Sequence, residues 1–408
     1  MLEFIDRLGV RVALQAYRGE TLRAALERGG IPCTSVLITH DREPVADTTV
    51  YADDVKYEAA LIEGYDIASI RAVRDRLFAP LADGRSAAHV ERVLAFDRQG
   101  GLTVEAVPLS AAATADSVER KVVETCAEFE MVRPDGGLLV GLSGGVDSSS
   151  LLMTLAAARA KLPAFRLVAV TFEDYDAATS PTFEHAHRLC VELGVEHHVA
   201  PAALASEIFH LNTPLREVLP RLLDTKWAHF VMYIDHHTTR RTLEVFAKRQ
   251  HIDRIALGLH TTDLIAGLMN AWMTGYMVGG LPVRKVGDVT YVYPLAFVSK
   301  RELHLYHGAR RGSYARHTNP NPWERRPLDR NFYYYLADRM QDLWPGLESM
   351  MFLAHEARLH GQRALVYDTC RNCGASLLHQ PFTTVDADEC DVCSVFRQAG
   401  FLTTEGGT

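Results

Sequence analysis

Residues 136–153 read "GGLLVGLSGGVDSSSLLM": an apolar run, a glycine pair, then a serine-rich apolar run. The segment "LLVGL" (138–142) is short and apolar, which predicts a strand buried on both faces of a parallel sheet. In Ser143-Gly144-Gly145 the glycines let the backbone turn tightly and approach a ligand without a Cβ clash. The stretch from Val146 predicts a helix. Its first free N–H groups and the positive end of its dipole form a seat for phosphate. The hydroxyls of Ser143, Ser148 and Ser149 can bond the same oxygens, whereas Asp147 is an odd neighbour for a phosphate unless Mg²⁺ lies between them. The stretch has neither the Gly-Lys-Ser/Thr of a Walker loop nor the dinucleotide fingerprint.

Around it, from Asp116, strand and helix patterns alternate. The helix "SVERKVVETCAEFEMV" precedes "LLVGL", and "RLVAVTF", "EHHVA", "RIALGL" and "TYVYPLAF" follow as strands. Helical patterns lie between them, including one long stretch at 215–250 and one opening at Asp263. This order predicts an α/β fold with a doubly wound parallel sheet.

Length and composition frame the rest. At 408 residues the chain has room for two or three domains. A hydrophobic fraction of 48% and charged fraction of 23% are those of a globular protein. The net charge of −8 excludes a bulk-basic nucleic-acid binder but leaves room for a local basic patch. No run of 18 apolar residues occurs, and "MLEFIDRLGVRV" alternates instead of forming a signal core, so a cytoplasmic chain without a membrane partner is expected.

Boundaries are predicted at 1–66 (a small α+β unit), 67–115 (a helix and a hairpin), 116–310 (the α/β domain), 311–362 (a helical extension) and 363–408. In the first unit "RVALQAY" reads as a strand, "GETLRAALERGG" as a helix, "TSVLITHDREPVADTTVYADD" as strand, turn and strand, and "VKYEAALIEGYDI" as a last strand. This order resembles the ubiquitin-like β-grasp sulfur carriers, although the unit lacks a Gly-Gly tail of its own. A generic α+β accessory domain is the alternative. In the second segment "IASIRAVRDRLF" predicts a helix, and a Gln-Gly-Gly turn joins two alternating strands.

Four of the seven cysteines close the chain as "CRNCGASLLHQPFTTVDADECDVC". Cys370, Cys373, Cys390 and Cys393 have the spacing C-x2-C-x16-C-x2-C, that of a zinc ribbon. Four thiolates suit a closed tetrahedral Zn²⁺ site with a structural role, since no position stays open for catalysis. Cys33, Cys126 and Cys190 are scattered, and Cys190 reads as a buried small apolar residue.

"SGGVDSS" resembles the PP-loop of the N-type ATP pyrophosphatases, a HUP-like family that includes the GMP, NAD and asparagine synthetases and the tRNA-thiolating enzymes. That resemblance implies cleavage of ATP between the α and β phosphates, adenylation of a substrate, and displacement of AMP by a nucleophile. Pyrophosphate and Mg²⁺ would be bound by Ser143, Gly144, Gly145, Asp147, Ser148 and Ser149. Because doubly wound sheets bind ligands at the carboxyl ends of their strands, adenosine is expected near Val170, Thr171 and Phe172. Gly258, His260 and Asp263 fall where the thiolation enzymes carry Gly-His-Asn-x-x-Asp, with the histidine one place later. Asp263 would hold Mg²⁺ or polarise a nucleophile.

Over residues 116–400 the chain resembles the cluster-dependent tRNA 2-thiolation enzymes. The likeness rests on the helix, strand and PP-loop, on "PLAFVSKRELHLY", on "NPWERRPLDRNFYYYLADRMQDLWPGLE" and on "CRNCG…CDVCSVFRQAGFL". It departs from them where they hold an iron–sulfur cluster. The two expected cysteines fall on Tyr233 and His236, the basic pair is Arg240-Arg241, and the third cysteine falls on Asn319 or Asn321. No cysteine lies between Cys190 and Cys370, so three thiolates cannot meet in the catalytic core. Within "DHHTTRR", Asp235, His236, His237 and the arginines could form a substrate or acid–base patch. Only one of the adjacent histidines can face inward, and His236 is the expected one.

The expected catalytic set is therefore Asp147, Asp263, Arg240, Arg241 and His236. Two acceptor chemistries remain open: sulfur transfer to a tRNA base or small molecule, fed by a separate sulfur-carrier protein, and attack by an amine to form an amide or amidine. A nucleotide- or RNA-binding module without catalysis is the reading from another class, and a homodimer is an open assembly.

Overall fold

The computed structural model describes residues 2–5, 11–31, 33, 36–61, 87–96, 102–173, 181–274, 279–312, 328–344, 346–360, 368–377 and 388–403. The chain divides into two compact units, residues 1–85 with 92–107, and residues 86–91 with 108–408.

The first unit is a mixed sheet with one helix. Its strands are β1 (Leu2–Ile5), β2 (Arg11–Leu14), β3 (Val36–His40), β4 (Glu43–Pro44) and β5 (Glu58–Leu61). They lie in the order β2-β1-β5-β3-β4, with β1 and β5 parallel at the centre and the other pairs antiparallel. The alternating N-terminus thus supplies both arms of a hairpin. Helix α1 (Leu22–Arg28) starts at Thr21, whose hydroxyl accepts from the Ala24 amide. It buries Leu22, Ala25 and Leu26 with Leu2, Leu14, Ile38, Tyr51 and Tyr57. The helix expected at 67–78 and the Gln-Gly-Gly turn lie outside the described residues. The two strands flanking that turn, β6 (His89–Phe96) and β7 (Leu102–Leu109), pair with each other.

The second unit is built on a six-stranded sheet of β8 (Gly136–Gly141), β9 (Phe165–Phe172), β10 (Glu196–Ala200), β11 (Arg254–Ala256), β12 (Val283–Val286) and β13 (Val289–Val292). The order is β10-β9-β8-β11-β13-β12, parallel except for the antiparallel edge strand β12. The chain winds outward from β8 to β10, then returns to β11 on the other side of β8. That reversal puts a crevice beyond the carboxyl ends of β8 and β11.

Side chains along the strands alternate between two cores, which explains their nearly continuous apolar composition. Leu138, Val140, Leu167, Ala169 and Ala256 face one core together with α2 (Ala111–Glu128), α3 (Val146–Ala158) and α9 (Lys300–Arg311). Leu139, Val168, Val170, Ile255 and Tyr291 face the other. That core is covered by α7 (Val231–Arg249), α8 (Thr261–Thr274), α10 (Leu328–Leu343) and α11 (Leu347–His360). Helix α4 (Pro181–Leu193) joins β9 to β10, and Cys190 is buried in the first core as a small apolar residue.

The long helix expected at 215–250 is broken. Helix α6 (Leu215–Leu222) ends where Thr225 Oγ1 donates to the Leu222 carbonyl, and a short 3₁₀ turn (Ala228–Phe230) leads into α7. A helix at Ala202–Phe209, α5, and the β12–β13 hairpin turning at Gly287 add to the predicted elements. Residues 368–377 form a small hairpin, β14 (Asp368–Thr369) with β15 (Ser376–Leu377), and α12 (Asp391–Gln398) lies further along. The four terminal cysteines share one apolar core with Phe209, Val218, Leu222, Val231 and Ile234 of α5, α6 and α7. The α/β core, the described helices after it and the cysteine segment therefore make one compact unit.

Candidate functional site

At the carboxyl end of β8 the chain turns at Gly144, whose φ of +78° favours glycine, and enters α3 with Gly145 as N-cap. Among the described residues no side chain caps this helix, so its first N–H groups are left for a ligand. Ser148 Oγ accepts from the Ser143 amide at 3.2 Å and lies 3.1 Å from Ser143 Oγ, which closes the loop on itself. Ser149 is placed differently. It is fully buried and its Oγ has no hydrogen-bond partner among the described residues, so it does not front the loop as Ser143 and Ser148 do.

Gly258, just beyond β11, packs directly on this helix start. A Cβ there would lie 3.1 Å from the Ser148 amide nitrogen and 3.2 Å from the Asp147 carbonyl oxygen. The absence of a side chain at 258 is what lets the two strand ends close on one another.

Asp147 meets a partner that the sequence reading missed. Both of its carboxylate oxygens accept from Lys300 Nζ at 2.7 Å, in a half-exposed pair. Lys300 is the first residue of α9, which Ser299 and Glu302 start with a reciprocal capping box. Glu302 is buried and bonded to Lys121 Nζ at 2.7 Å. Burial alone would raise the Glu302 carboxyl, but Lys121 and the Ser299 bonds outweigh it and hold it below its ordinary range. Lys300 is thus delivered to the loop by an anchored helix end. Ser-x-x-Glu at 299–302 was the available signal.

On the β11 side, Asp263 Oδ2 accepts from the His260 amide at 3.0 Å and lies 3.3 Å from His260 Nε2, while Oδ1 accepts from the Tyr334 hydroxyl at 2.6 Å. His260 is buried, which holds its pKa down, with Asp263 opposing and Lys300 adding to the shift. Its Nδ1 has no hydrogen-bond partner among the described residues. A neutral imidazole between an acidic group and a lysine-bearing helix start can pass or accept one proton. Tyr334, and Asp338, which accepts from Thr262 Oγ1 at 2.9 Å, were also missed. Both come from α10, about 70 residues further along the chain.

The α7 cluster behaves differently. His237, not His236, turns inward. His237 is 3% exposed and His236 is exposed, correcting the orientation expected from the sequence. The cause is the four-cysteine segment, whose core takes up this face of α7. His237 packs edge-on to Phe209 and near-parallel to Tyr233, and burial followed by the Arg240 charge lowers its pKa to about 3. Arg240 Nη2 lies 3.3 Å from His237 Nδ1. Arg241 donates from Nε to the Cys373 carbonyl at 2.8 Å and from Nη1 to Glu244 at 3.0 Å, while Glu244 also accepts from Tyr291 OH at 2.7 Å. Asp235 is buried on the same helix. Arg241 therefore ties α7 to the cysteine knuckle. Asn319 and Asn321 lie outside the described residues.

The four cysteine sulfurs all lie within 4.8 Å of one another, and Cys373 and Cys390 are 3.8 Å apart. A tetrahedral ion with metal–sulfur bonds of about 2.3 Å holds its sulfurs about 3.8 Å apart, so the set fits one soft ion. The Cys390 amide donates to Cys370 Sγ and the Cys393 amide to Cys390 Sγ, as thiolates require.

Among the described residues no helix is long and apolar enough to cross a membrane. An asparagine synthase family model matches residues 120–213, which hold the glycine loop. The tRNA-cytidine(32) 2-sulfurtransferase of Xylella fastidiosa (strain 9a5c) is 28% identical over 203 residues, 48% of this chain and 62% of that protein. Its counterpart from Xanthomonas euvesicatoria pv. vesicatoria (strain 85-10) is 26% identical over 204 residues, 47% of this chain and 60% of that one. The chain thus spans less than two thirds of the length of these curated relatives. The solved U34-tRNA thiolase NcsA from Methanococcus maripaludis, with its [4Fe-4S] cluster, has the same fold with a TM-score of 0.54 and 20% identity, covering 74% of this chain and 93% of that one. Fold, loop and sequence likeness agree that this chain is similar to PP-loop ATPases and, among them, resembles the tRNA-thiolating enzymes.

Proposed function

We propose that the chain adenylates a carbonyl oxygen, releases pyrophosphate, and then replaces that oxygen with sulfur without a core iron–sulfur cluster. The observation that carries this reading is the uncapped start of α3, with Lys300 and Asp147 beside it and the His260–Asp263 pair beyond the neighbouring strand. The acceptor oxygen attacks the α-phosphorus and pyrophosphate departs with the bonding electrons. A sulfur nucleophile then attacks the activated carbon and AMP leaves.

In this reading the amides of Gly144 and Gly145 and the hydroxyls of Ser143 and Ser148 hold the β and γ phosphates. Val170, Thr171 and Phe172 border the adenosine, and Gly258 keeps the crevice narrow. Lys300 leaves Asp147 for the pyrophosphate oxygens as ATP enters, neutralising charge that grows in the transition state. Asp147 would then hold Mg²⁺, which supplies further neutralisation of the phosphates. Asp263 orients His260 for proton transfer at the acceptor. The sulfur separations support Zn²⁺ at Cys370, Cys373, Cys390 and Cys393, and the sheet order of the first unit supports a β-grasp-like fold. The likeness to tRNA-cytidine(32) 2-sulfurtransferases supports a tRNA acceptor, and a carrier protein as sulfur source and a cytoplasmic setting belong to the same proposal.

One observation favours nitrogen as the nucleophile instead. Tyr233 and His236 stand where a cluster-bearing chain needs cysteines, and no cysteine occurs between Cys190 and Cys370. Mass spectrometry of tRNA and small metabolites from cells with and without the gene separates the two readings. A sulfur-containing nucleoside or metabolite lost with the gene is expected. Loss of an amide or amidine would overturn sulfur transfer, and more than one iron per chain in anaerobically purified protein, beyond what the four-cysteine site fits, would overturn the cluster-free core.

A further inference from the structure

A chain of side chains runs from α4 across β10 and β9 to the root of the glycine loop. Thr171 Oγ1 lies 2.8 Å from the Leu142 carbonyl oxygen and 3.0 Å from His197 Nε2, and His197 Nδ1 lies 3.4 Å from His187 Nδ1. The proton positions follow from the partners. A carbonyl only accepts, so the single hydroxyl proton of Thr171 points to Leu142. Thr171 must then accept from His197, whose Nε2 carries the proton. A neutral His197 has its lone pair on Nδ1, so His187 donates from Nδ1. Burial, helped by His187 and His198, lowers the pKa of His197, in keeping with the neutral ring.

What this chain holds is the peptide unit between Leu142 and Ser143. Its carbonyl is fixed by Thr171, and its N–H donates to Ser148 Oγ at 3.2 Å. The Leu142 amide is also taken, by the Val170 carbonyl at 2.8 Å. The next residues are the loop itself. Thr171 is 6% exposed, and His197, half-buried against Phe183, is the one side chain among the described residues bonded to its hydroxyl.

We propose that His197 is a positioning residue for the nucleotide loop: by donating to Thr171 it fixes the threonine hydroxyl on the Leu142 carbonyl and so sets the plane from which the loop amides project. The inference rests on the PP-loop reading of residues 143–149 but concerns a residue outside the loop. It assigns His197 no contact with ATP.

The test uses the full chain and two readouts. Hydrogen–deuterium exchange over residues 142–150 in the absence of nucleotide reports the loop alone, and titration with ATP reports its competence. His197→Phe and Thr171→Val are each expected to speed loop exchange and weaken ATP binding by about tenfold, the worth of one hydrogen bond. His197→Gln, which offers an amide N–H toward Thr171, and Thr171→Ser, which keeps the hydroxyl, are expected to restore both. The double variant is expected to be no worse than either single one, because the two residues act in series. Unchanged loop exchange in His197→Phe, or equal damage from Phe and Gln at 197, would overturn the proposal. If the unsubstituted chain binds no ATP while its loop exchange responds as expected, the nucleotide reading fails and the positioning role of His197 stands.

Discussion

The glycine loop and helix α7 lie in the same unit, yet they relate to the sequence in opposite ways. The turn of the loop is closed by neighbours within a few residues: Ser143 with Ser148, Gly145 as N-cap, Gly144 at positive φ. The α7 cluster takes its orientation from distant packing as well, with Arg241 held by the carbonyl of Cys373, 132 positions further along the chain. Chemistry carried by local geometry can be recognised from a short motif. Chemistry carried by long-range packing cannot, because the same "DHHTTRR" could face a crevice or a cysteine knuckle.

The largest expected effect falls on the α7 side. Cys393→Ala leaves three buried cysteines around an open position, and a chelator would strip the proposed metal from all four. Either change should cost more than about 5 kcal/mol and lower the melting temperature of the whole unit, because a structural site contributes folding energy directly. A variant that loses its metal but melts unchanged would separate the cysteine segment from α7 and break the contrast.

On the loop side, Lys300→Met should lower ATP–pyrophosphate exchange by about 100-fold or more, as expected for a charge aimed at the reacting phosphates, while stability moves little because its pair with Asp147 is half-exposed. An intact exchange rate in this variant would remove Lys300 from the site.

The helix that carries Lys300 gives a pH test. Glu302 has its carboxyl pKa held below the ordinary value, so its pair with Lys121 stabilises fully above the unfolded carboxyl pKa of about 4.3 and is lost as pH falls through the lower folded value. Acid melting curves should show a loss below about pH 4.5 that is smaller in Glu302→Gln. Equal acid sensitivity in both proteins would count against the anchoring of α9.

Arg241→Ala should be milder, costing about 1–3 kcal/mol by freeing the Cys373 carbonyl and Glu244 while ATP binding stays near that of the unsubstituted chain. A strong loss of ATP binding with unchanged melting would support the catalytic role expected for Arg241 from the sequence.

Much of the fold was legible because burial on both faces of the sheet writes apolar strands between amphipathic helices. The four cysteines were legible because a tetrahedral site constrains their spacing. Three features were not. The break between α6 and α7 comes at turn bonds from Thr225 to the Leu222 carbonyl, just after Pro220, inside an otherwise helical pattern. Lys300 sits inside a recognised segment but draws its meaning from Asp147, 153 residues earlier. The inward histidine depends on which face of α7 the cysteine segment covers, and that is set by the core around the four cysteines and not by the helix period.

The interlocking of the cysteine segment with α5–α7 bears on the order of assembly during synthesis. Leu211 pairs with Leu402, Asn212 reaches the carbonyls of Gly400 and Leu402, and Asn372 donates to the Phe209 carbonyl. Residues 202–250 leave the ribosome long before these partners exist, and closing so long a loop is slow. The nascent chain must therefore keep an apolar face of α5–α7 waiting until residues 368–403 emerge and their thiolates are filled. With a metal at the four cysteines, as proposed, its supply at that moment would govern how much of the newly made protein matures and how much is lost to aggregation.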